Sequence, residues 1–110
     1  MFIVQVDRDQ EVIATVTTAV RERGVRNGAI VSLIGAVQGC VVSVMPKGDP
    51  LDDILTTYDQ PFEMTGTGEI VDGAVHVHVA LGGEDGPVIG HLHSATVRDW
   101  FARVYIVPSD

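Results

Sequence analysis

Alternation of valine and histidine side chains over residues 75–79 constrains the fold more than any other part of this 110-residue sequence. Val77 separates His76 from His78, and successive side chains of a β-strand point to opposite faces. The two imidazoles therefore share one face, and the valines occupy the other. This pattern predicts a half-buried strand that aims both imidazoles the same way.

A second His-x-His pair, formed by His91 and His93, follows the first after a short glycine-rich segment, residues 82–87. Asp72-Gly73 is a strong hairpin signal before the first pair, and the glycine-rich segment indicates a second hairpin between the two pairs. The sequence therefore predicts two consecutive β-hairpins, the second of which brings all four histidines of the chain together.

The register of the second hairpin decides which histidines meet. If its turn centres on residues 84–85, antiparallel counting places His78 opposite His91 and His76 opposite His93. Directly opposed Cβ atoms in a sheet lie about 4.5–5.5 Å apart. A bulge at Gly86 would shift this register by one residue and change the pairing.

Convergent imidazoles at this spacing are typical of a metal site, because zinc binds histidine nitrogens at about 2.0–2.1 Å. We expect His76, His78 and His91 to be the ligands, with zinc as the metal and another divalent ion as the alternative. His93 could be a fourth ligand, a hydrogen-bond partner of a ligand, or a proton carrier in catalysis. The competing interpretation is that the four side chains line a polar sheet face or a subunit contact.

One carboxylate is a candidate for the same site. Glu69 lies shortly before the strand that carries His76. It could be a metal ligand, a hydrogen-bond acceptor for a ligand, or an acid–base group, and the alternative is a solvated strand residue. Glu63 is a weaker candidate for these roles. Gly66-x-Gly68 is not a nucleotide-binding fingerprint, because no helix is predicted after it.

Outside the histidine hairpin, the sequence predicts one helix and several strands. The helix covers about residues 10–23, with Asp7 or Asp9 as its N-cap and Gly24 after its last turn. Extended segments are predicted at residues 2–6, 29–34, 40–45, 62–71, 74–81 and 88–97. The last segment is predicted as a strand, with one face formed by Trp100, Ala102, Val104 and Ile106. Residues 51–61 show little periodicity and are predicted to form an ordered surface loop.

Charge and composition narrow the function classes. The chain carries 15 acidic and 7 basic residues, a net charge of −8, whereas nucleic-acid affinity depends mostly on Lys and Arg. No apolar run approaches the roughly 20 residues of a membrane helix, and the first residues lack the features of a signal peptide. Cys40 is the only cysteine and cannot form an internal disulfide. These observations predict a single cytoplasmic domain over residues 1–110.

Two segments of the second half carry a family resemblance. Residues 66–81 (GTGEIVDGAVHVHVAL) and 84–92 (EDGPVIGHL) resemble the plants-and-prokaryotes-conserved (PPC) domain, which has a His-x-His strand, an acidic-glycine turn and a Gly-Gly-His-Leu element. Three features depart from the family. Ile89 replaces the first glycine of that element, Arg103 stands where a glutamate is common, and residues 23–26 (RGVR) lack the Arg-Gly-Arg-Pro core of the AT-hook through which plant members bind DNA.

The resemblance implies an α+β fold with an antiparallel-rich mixed sheet, partly barrel-like, and one main flanking helix. It also implies a homotrimer, as in prokaryotic members. The family's three histidines, which can hold zinc, correspond to His76, His78 and His91. Acetolactate decarboxylase, which belongs to the same superfamily, holds its zinc with a similar histidine set.

We therefore expect a zinc-binding, homotrimeric PPC-like protein that acts as an assembly or regulatory binding module. The alternative is a metal-dependent enzyme, decarboxylase-like or lyase-like, that acts on a small acid or carbonyl substrate with Glu69 and His93 as acid–base groups. Direct DNA binding ranks third because the chain is acidic, and the same charge argues against an anionic membrane surface.

Overall fold

Six β-strands and one α-helix form the protein in the computed structural model, which describes residues 1–109. In chain order, these elements are β1 (Phe2–Val6), α1 (Val12–Glu22), β2 (Gly28–Val44), β3 (Ile54–Val71), β4 (Ala74–Gly83), β5 (Gly86–Thr96) and β6 (Ala102–Pro108). No helix among residues 1–109 is long and apolar enough to cross a membrane.

The strands form one sheet in the order β1-β6-β2-β3-β4-β5, and every pairing between them is antiparallel. Strand β5 also pairs with β2, so that β2, β3, β4 and β5 close into a ring. The prediction of an α+β fold with an antiparallel-rich, partly closed sheet and one flanking helix is thereby confirmed.

Helix α1 packs against the sheet through a stripe of valines. Val12, Val16 and Val20 recur every fourth residue and are almost completely buried, which is the spacing of one helix face. Gly24 follows the helix with a φ of 68°. The amide of Val25 donates to the carbonyl of Val20, as in a Schellman C-cap.

The predicted N-cap of this helix is wrong. Glu11, and neither Asp7 nor Asp9, caps it: the Glu11 carboxylate accepts hydrogen bonds from the amides of Ile13 and Ala14, each at 2.8 Å. Asp7 instead donates its amide to Oε1 of Gln10 at 2.8 Å. Together with the hydrogen bond from the amide of Gln10 to the carbonyl of Asp7, this contact organises the turn before the helix.

Strand β2 is longer than the sequence indicated. The two predicted segments, residues 29–34 and 40–45, belong to one continuous strand, which ends one residue earlier than predicted, at Val44. Its register against β3 shifts between Ile30 and Leu33 and again between Val37 and Gly39. These irregularities let the strand bend around the ring, and they interrupt the alternation that would reveal a single strand.

The predicted loop at residues 51–61 is wrong for most of its length, because β3 begins at Ile54. Ile54 pairs with Val44, and the ladder continues to Asp59 opposite Gly39. Residues 54–57 are exposed to solvent. Since neither face of this part of the strand is buried, the sequence has no reason to alternate there.

Strand β6 confirms the extended prediction for the last segment only from Ala102 onward. Ala102, Val104 and Ile106 are fully buried, as their shared face predicted. Trp100 precedes the strand and is 70% exposed, so its proposed place on that face is wrong.

Candidate metal centre

Strand β4 carries the histidines on the face of the sheet that points away from the core. Val77 and Val79 are buried, whereas His76 and His78 are exposed. The alternation in the sequence therefore gave the correct face for both imidazoles. The Asp72-Gly73 turn that starts the strand is also present, with positive φ angles of 50° and 82°.

The β4–β5 hairpin places His78 directly opposite His91, as predicted. Its ladder starts at Gly83 opposite Gly86, so that Glu84 and Asp85 form the turn. No register shift occurs at Gly86, so the ladder runs without interruption to His78 and His91. One histidine from each pair thus meets across the hairpin.

The second predicted pair, His76 opposite His93, does not form. The β4–β5 ladder ends at His78 and His91, and the residue opposite His76 is Glu69 on β3. Beyond this point β5 pairs with β2 instead. Leu92 and Ser94 pair with two consecutive residues of β2, so that the register skips His93. Counting along a straight hairpin fails here because β5 bulges where it closes the ring.

The imidazoles of His76, His78 and His91 nevertheless form a compact group. Their ring centres are 4.8 Å apart for His76 and His78, 4.6 Å for His76 and His91, and 5.9 Å for His78 and His91. A nitrogen-to-zinc distance of about 2.0–2.1 Å in a tetrahedral site places the centres of ligating rings roughly 5 Å from one another. The spacing of these three rings therefore fits a shared zinc ion.

The orientation of the rings does not complete a site by itself. Within residues 1–109, no three His, Cys, Asp or Glu side chains are arranged to hold a metal ion as they stand. Imidazole donors on one exposed face are the right ligand chemistry for zinc. Binding of a metal would therefore require side-chain rotations, which the solvent exposure of His76 and His78 permits.

Electrostatics favour the neutral, ligand-competent form of one ring. Burial lowers the pKa of His91 below its ordinary value, and the positive charges of His76, His93 and His78 lower it further, whereas Asp53 acts in the opposite direction. A histidine must be neutral to donate a lone pair to a metal. The lowered pKa therefore widens the pH range in which His91 is neutral and able to bind a metal.

His93 lies beside the group but has another partner. Its ring stacks on His91 with the centres 4.5 Å apart and an interplanar angle of 20°. Its Nε2 shares a hydrogen bond of 2.8 Å with Oγ of Ser43. Sequence reasoning missed Ser43, although a lone hydroxyl within the apolar segment of residues 40–45 is a visible signal.

The two candidate carboxylates, Glu69 and Glu63, lie at very different distances from the histidines. Glu69 is directly opposite His76 across β3 and β4, on the histidine face. No hydrogen bond or ion pair joins it to a histidine among the described residues. Glu63 lies six residues away on β3, about 20 Å along the strand, and does not belong to the group. Asp53, which sequence reasoning also missed, is close enough for its charge to act on His91.

Two glycines explain how β3 approaches the histidine strand so closely. A Cβ atom on Gly66 would overlap the carbonyl oxygen of His78, and one on Gly68 would overlap that of His76. Gly66-x-Gly68 therefore has a structural role, because only glycine leaves room for this backbone contact.

Comparison with known proteins identifies both a sequence family and a set of similar folds. The sequence profile of the Plants and Prokaryotes Conserved (PCC) domain, the family abbreviated PPC in protein names, matches residues 1–109. No curated protein matches the chain.

Three solved structures illustrate the likeness. A plant- and prokaryote-conserved (PPC) protein from Pyrococcus horikoshii has 19% identity and a TM-score of 0.80, covering 99% of this chain and 80% of its own. A metal-containing protein from Archaeoglobus fulgidus has 23% identity and a TM-score of 0.80, and the match covers 97% of this chain and 77% of that protein. A protein from Ralstonia eutropha named "putative DNA-binding protein" has 18% identity and a TM-score of 0.83, and the match covers 97% of this chain and 76% of that protein. At these identities the likeness establishes a shared fold.

Proposed function

The chain belongs to the Plants and Prokaryotes Conserved domain family, and on that basis we propose that it is a zinc-binding, homotrimeric module that acts through assembly or through regulatory binding of a partner. Its single cysteine, Cys40, is buried and free, which is compatible with a cytoplasmic location.

The group of three imidazoles is the observation that carries this proposal. His76, His78 and His91 come from two adjacent strands, and their ring centres lie 4.6 to 5.9 Å apart. Zinc bound there would tie β4 to β5 at the point where their ladder ends. The fold shared with a metal-containing protein supports the same assignment.

An exposed apolar surface supports assembly. One row of directly opposed residues crosses four strands on the histidine face. It consists of Ile89 on β5, Ala80 on β4, Thr65 on β3 and Ile34 on β2. Ile34 and Ile89 are both exposed, at 54% and 67%. Five more exposed apolar residues surround the tip of the β2–β3 hairpin: Val44, Met45, Leu51, Ile54 and Leu55. The trimeric stoichiometry itself comes from the family resemblance.

Metal analysis of the purified protein tests the first half of the proposal. We expect one zinc ion per chain by elemental mass spectrometry. The single variants His76→Ala, His78→Ala and His91→Ala should lose it, whereas Thr65→Ala, an exposed change on the same face, should retain it. If the wild-type protein contains no zinc after incubation with zinc and desalting, the proposal is contradicted.

Light scattering coupled to size-exclusion chromatography tests the second half. We expect a trimer for the wild type and a smaller species for Ile34→Asp, because a buried carboxylate would have no partner in an apolar contact. Thr18→Asp, on the exposed face of α1, is the matched control. A monomeric wild type, or an unchanged Ile34→Asp trimer, would contradict assembly through this face.

Glu69 favours an enzymatic alternative. Three protein ligands would leave a fourth position on zinc, where the metal could polarise a carbonyl or activate water. Glu69, opposite His76, could then move a proton, while the Nε2 of His93 is engaged by Ser43. Release of CO₂ from acetoacetate by the zinc-loaded protein, lost in Glu69→Gln with the metal content unchanged, would establish this function over a binding role.

DNA binding is the third candidate, and it rests on the names of proteins with the same fold. The net charge of −8 opposes it, because phosphate contacts need an excess of Lys and Arg. We expect no mobility shift of duplex DNA at physiological ionic strength. A salt-dependent shift under those conditions would reverse this ranking.

A further inference from the structure

We infer that Ser43 is a positioning residue that holds His93 away from the metal and keeps the fourth coordination position open. This inference rests on the proposed zinc site at His76, His78 and His91. It assigns a role to the histidine that the site does not use, and it predicts that a small anion can bind the metal directly.

Ser43 is unusual among the described residues because it is their only buried polar or charged side chain. It is 2% exposed, and its Oγ lies 2.8 Å from Nε2 of His93. No buried side-chain nitrogen or oxygen atom in residues 1–109 lacks a partner. A buried hydroxyl requires such a partner, so the pair fixes one nitrogen of the His93 ring.

The stacking of His93 on His91 also excludes it from the ligand set. The two rings are nearly parallel, at 20°, whereas the ring of His76 is inclined by 88° to His78 and by 64° to His91. The donor lone pair of an imidazole lies in the plane of its ring. Parallel rings whose centres are 4.5 Å apart therefore cannot both direct a lone pair at one ion, but inclined rings can.

The backbone around Ser43 keeps this arrangement in place. Ser43 pairs directly with His91 in the β2–β5 ladder, so the hydroxyl is fixed next to the ligand strand. A Cβ atom on Gly90 would overlap the carbonyl oxygen of Ser43, which shows how closely the two strands approach. The bulge that passes over His93 turns its ring toward this hydroxyl.

A zinc ion with three histidine ligands has a fourth position for water or for another small ligand. A fourth imidazole would close that position and make the site structural. The Ser43–His93 hydrogen bond thus decides between an open and a closed metal. The ligands that fit an open position are small anions with an oxygen or nitrogen donor, carboxylates among them.

Cobalt(II) substitution with azide as the probe tests the inference. The visible spectrum of Co²⁺ reports its coordination number, and azide changes that spectrum only where a position is open. We expect one Co²⁺ per wild-type chain and a saturable response to azide. Ser43→Ala should free His93, raise the affinity for Co²⁺ at least tenfold and abolish the azide response. The double variant Ser43→Ala/His93→Gln should restore the wild-type affinity and response.

Two variants and one metal-free measurement make the outcomes separable. Ser32→Ala, an exposed serine on the same strand, and His93→Gln alone should behave like the wild type with Co²⁺. In the metal-free protein, the imidazole ¹⁵N resonances of His93 should show a hydrogen-bonded Nε2, a readout that does not require Ser43→Ala to fold.

Loss of Co²⁺ from His93→Gln, or an unchanged azide response in folded Ser43→Ala, would overturn the inference and leave the zinc proposal standing. Absence of stoichiometric metal from the wild type would overturn both. A ¹⁵N spectrum of His93 without a hydrogen-bonded Nε2 would overturn the inference by itself.

Discussion

At the scale of single residues, each of the four histidines has a different environment although the sequence presents them as two equal pairs. His76 faces Glu69, His78 faces His91, and His93 lies on a bulge with Ser43 as its partner. Burial and the charges of its neighbours lower the pKa of His91. Chemical differences between identical residues thus arise from the strand that each one faces.

The lowered pKa of His91 predicts a pH dependence of stability. In the unfolded chain this histidine binds a proton with a pKa of about 6.5. In the native state its pKa is lower, so a more acidic solution is needed to protonate it. The native state therefore holds fewer protons than the unfolded state below that pH, and the free energy of unfolding falls as the pH is lowered.

Urea denaturation of chelator-treated protein at pH 7.5 and 5.5 measures this effect. We expect the midpoint to fall between the two values, and the decrease to be smaller in His91→Gln. Thr67→Ala, an exposed change on the same sheet face, should retain the full decrease. An equal decrease in wild type and His91→Gln would show that His91 is not responsible.

Gly68 makes a second prediction at this scale. Gly68→Ala would press a methyl group against the carbonyl oxygen of His76, and overpacking of this kind costs about 1–3 kcal/mol of stability. Gly48→Ala, where a Cβ atom would meet nothing within 4 Å, is the matched control. Denaturant titration should show a loss for the first variant and almost none for the second, and equal stabilities would contradict the close approach of β3 and β4.

At the scale of elements, α1 and β5 depend on one carboxylate. Glu11 caps the helix through the amides of Ile13 and Ala14, and its Oε2 also accepts a hydrogen bond from the amide of Ala95 on β5 at 2.9 Å. The helix start is therefore joined to the strand that carries His91 and His93. The sequence predicted a cap from an aspartate, but the additional bond to a distant strand favours the longer side chain of Glu11.

Glu11→Ala should destabilise the protein by about 2 kcal/mol, the upper part of the range for an N-cap, because it also leaves the amide of Ala95 without its partner. Glu22→Ala, at the exposed last residue of the same helix, should change the stability much less. Thermal unfolding followed by circular dichroism measures both. A loss for Glu11→Ala no larger than that for Glu22→Ala would contradict the joining role.

At the scale of the whole molecule, the ring of β2 to β5 brings together residues that are distant in sequence. Ser43 and His93 are separated by 50 positions, and they meet because β5 pairs with both β4 and β2. A metal bound beside this closure would stabilise the folded state as a whole, because the unfolded chain has no such arrangement of ligands.

If zinc binds at the proposed site, its removal should lower the melting temperature. At a free zinc concentration of 100 times the Kd, the expected stabilisation is about 2.7 kcal/mol. Differential scanning calorimetry with zinc and with a chelator measures the shift, which should disappear in His78→Ala. A zinc-dependent shift of the same size in that variant would place the binding elsewhere.

The sequence by itself determined the local features of this protein. Alternation of Val77 and Val79 with His76 and His78 established which face carries the imidazoles, and the glycine turns established the two hairpins and the meeting of His78 with His91. These features depend on strand parity and turn geometry, which act between neighbouring residues.

Only the tertiary structure decided the rest. The exposed start of β3 gave no periodic signal, and the bulge of β5 moved His93 away from His76 toward Ser43. The first follows from the exposure of both faces of that segment. The second follows from the closure of the ring, in which β5 pairs first with β4 and then with β2. Pairing between distant strands is set by contacts across the fold, so a local pattern could identify the histidines but not their separate roles.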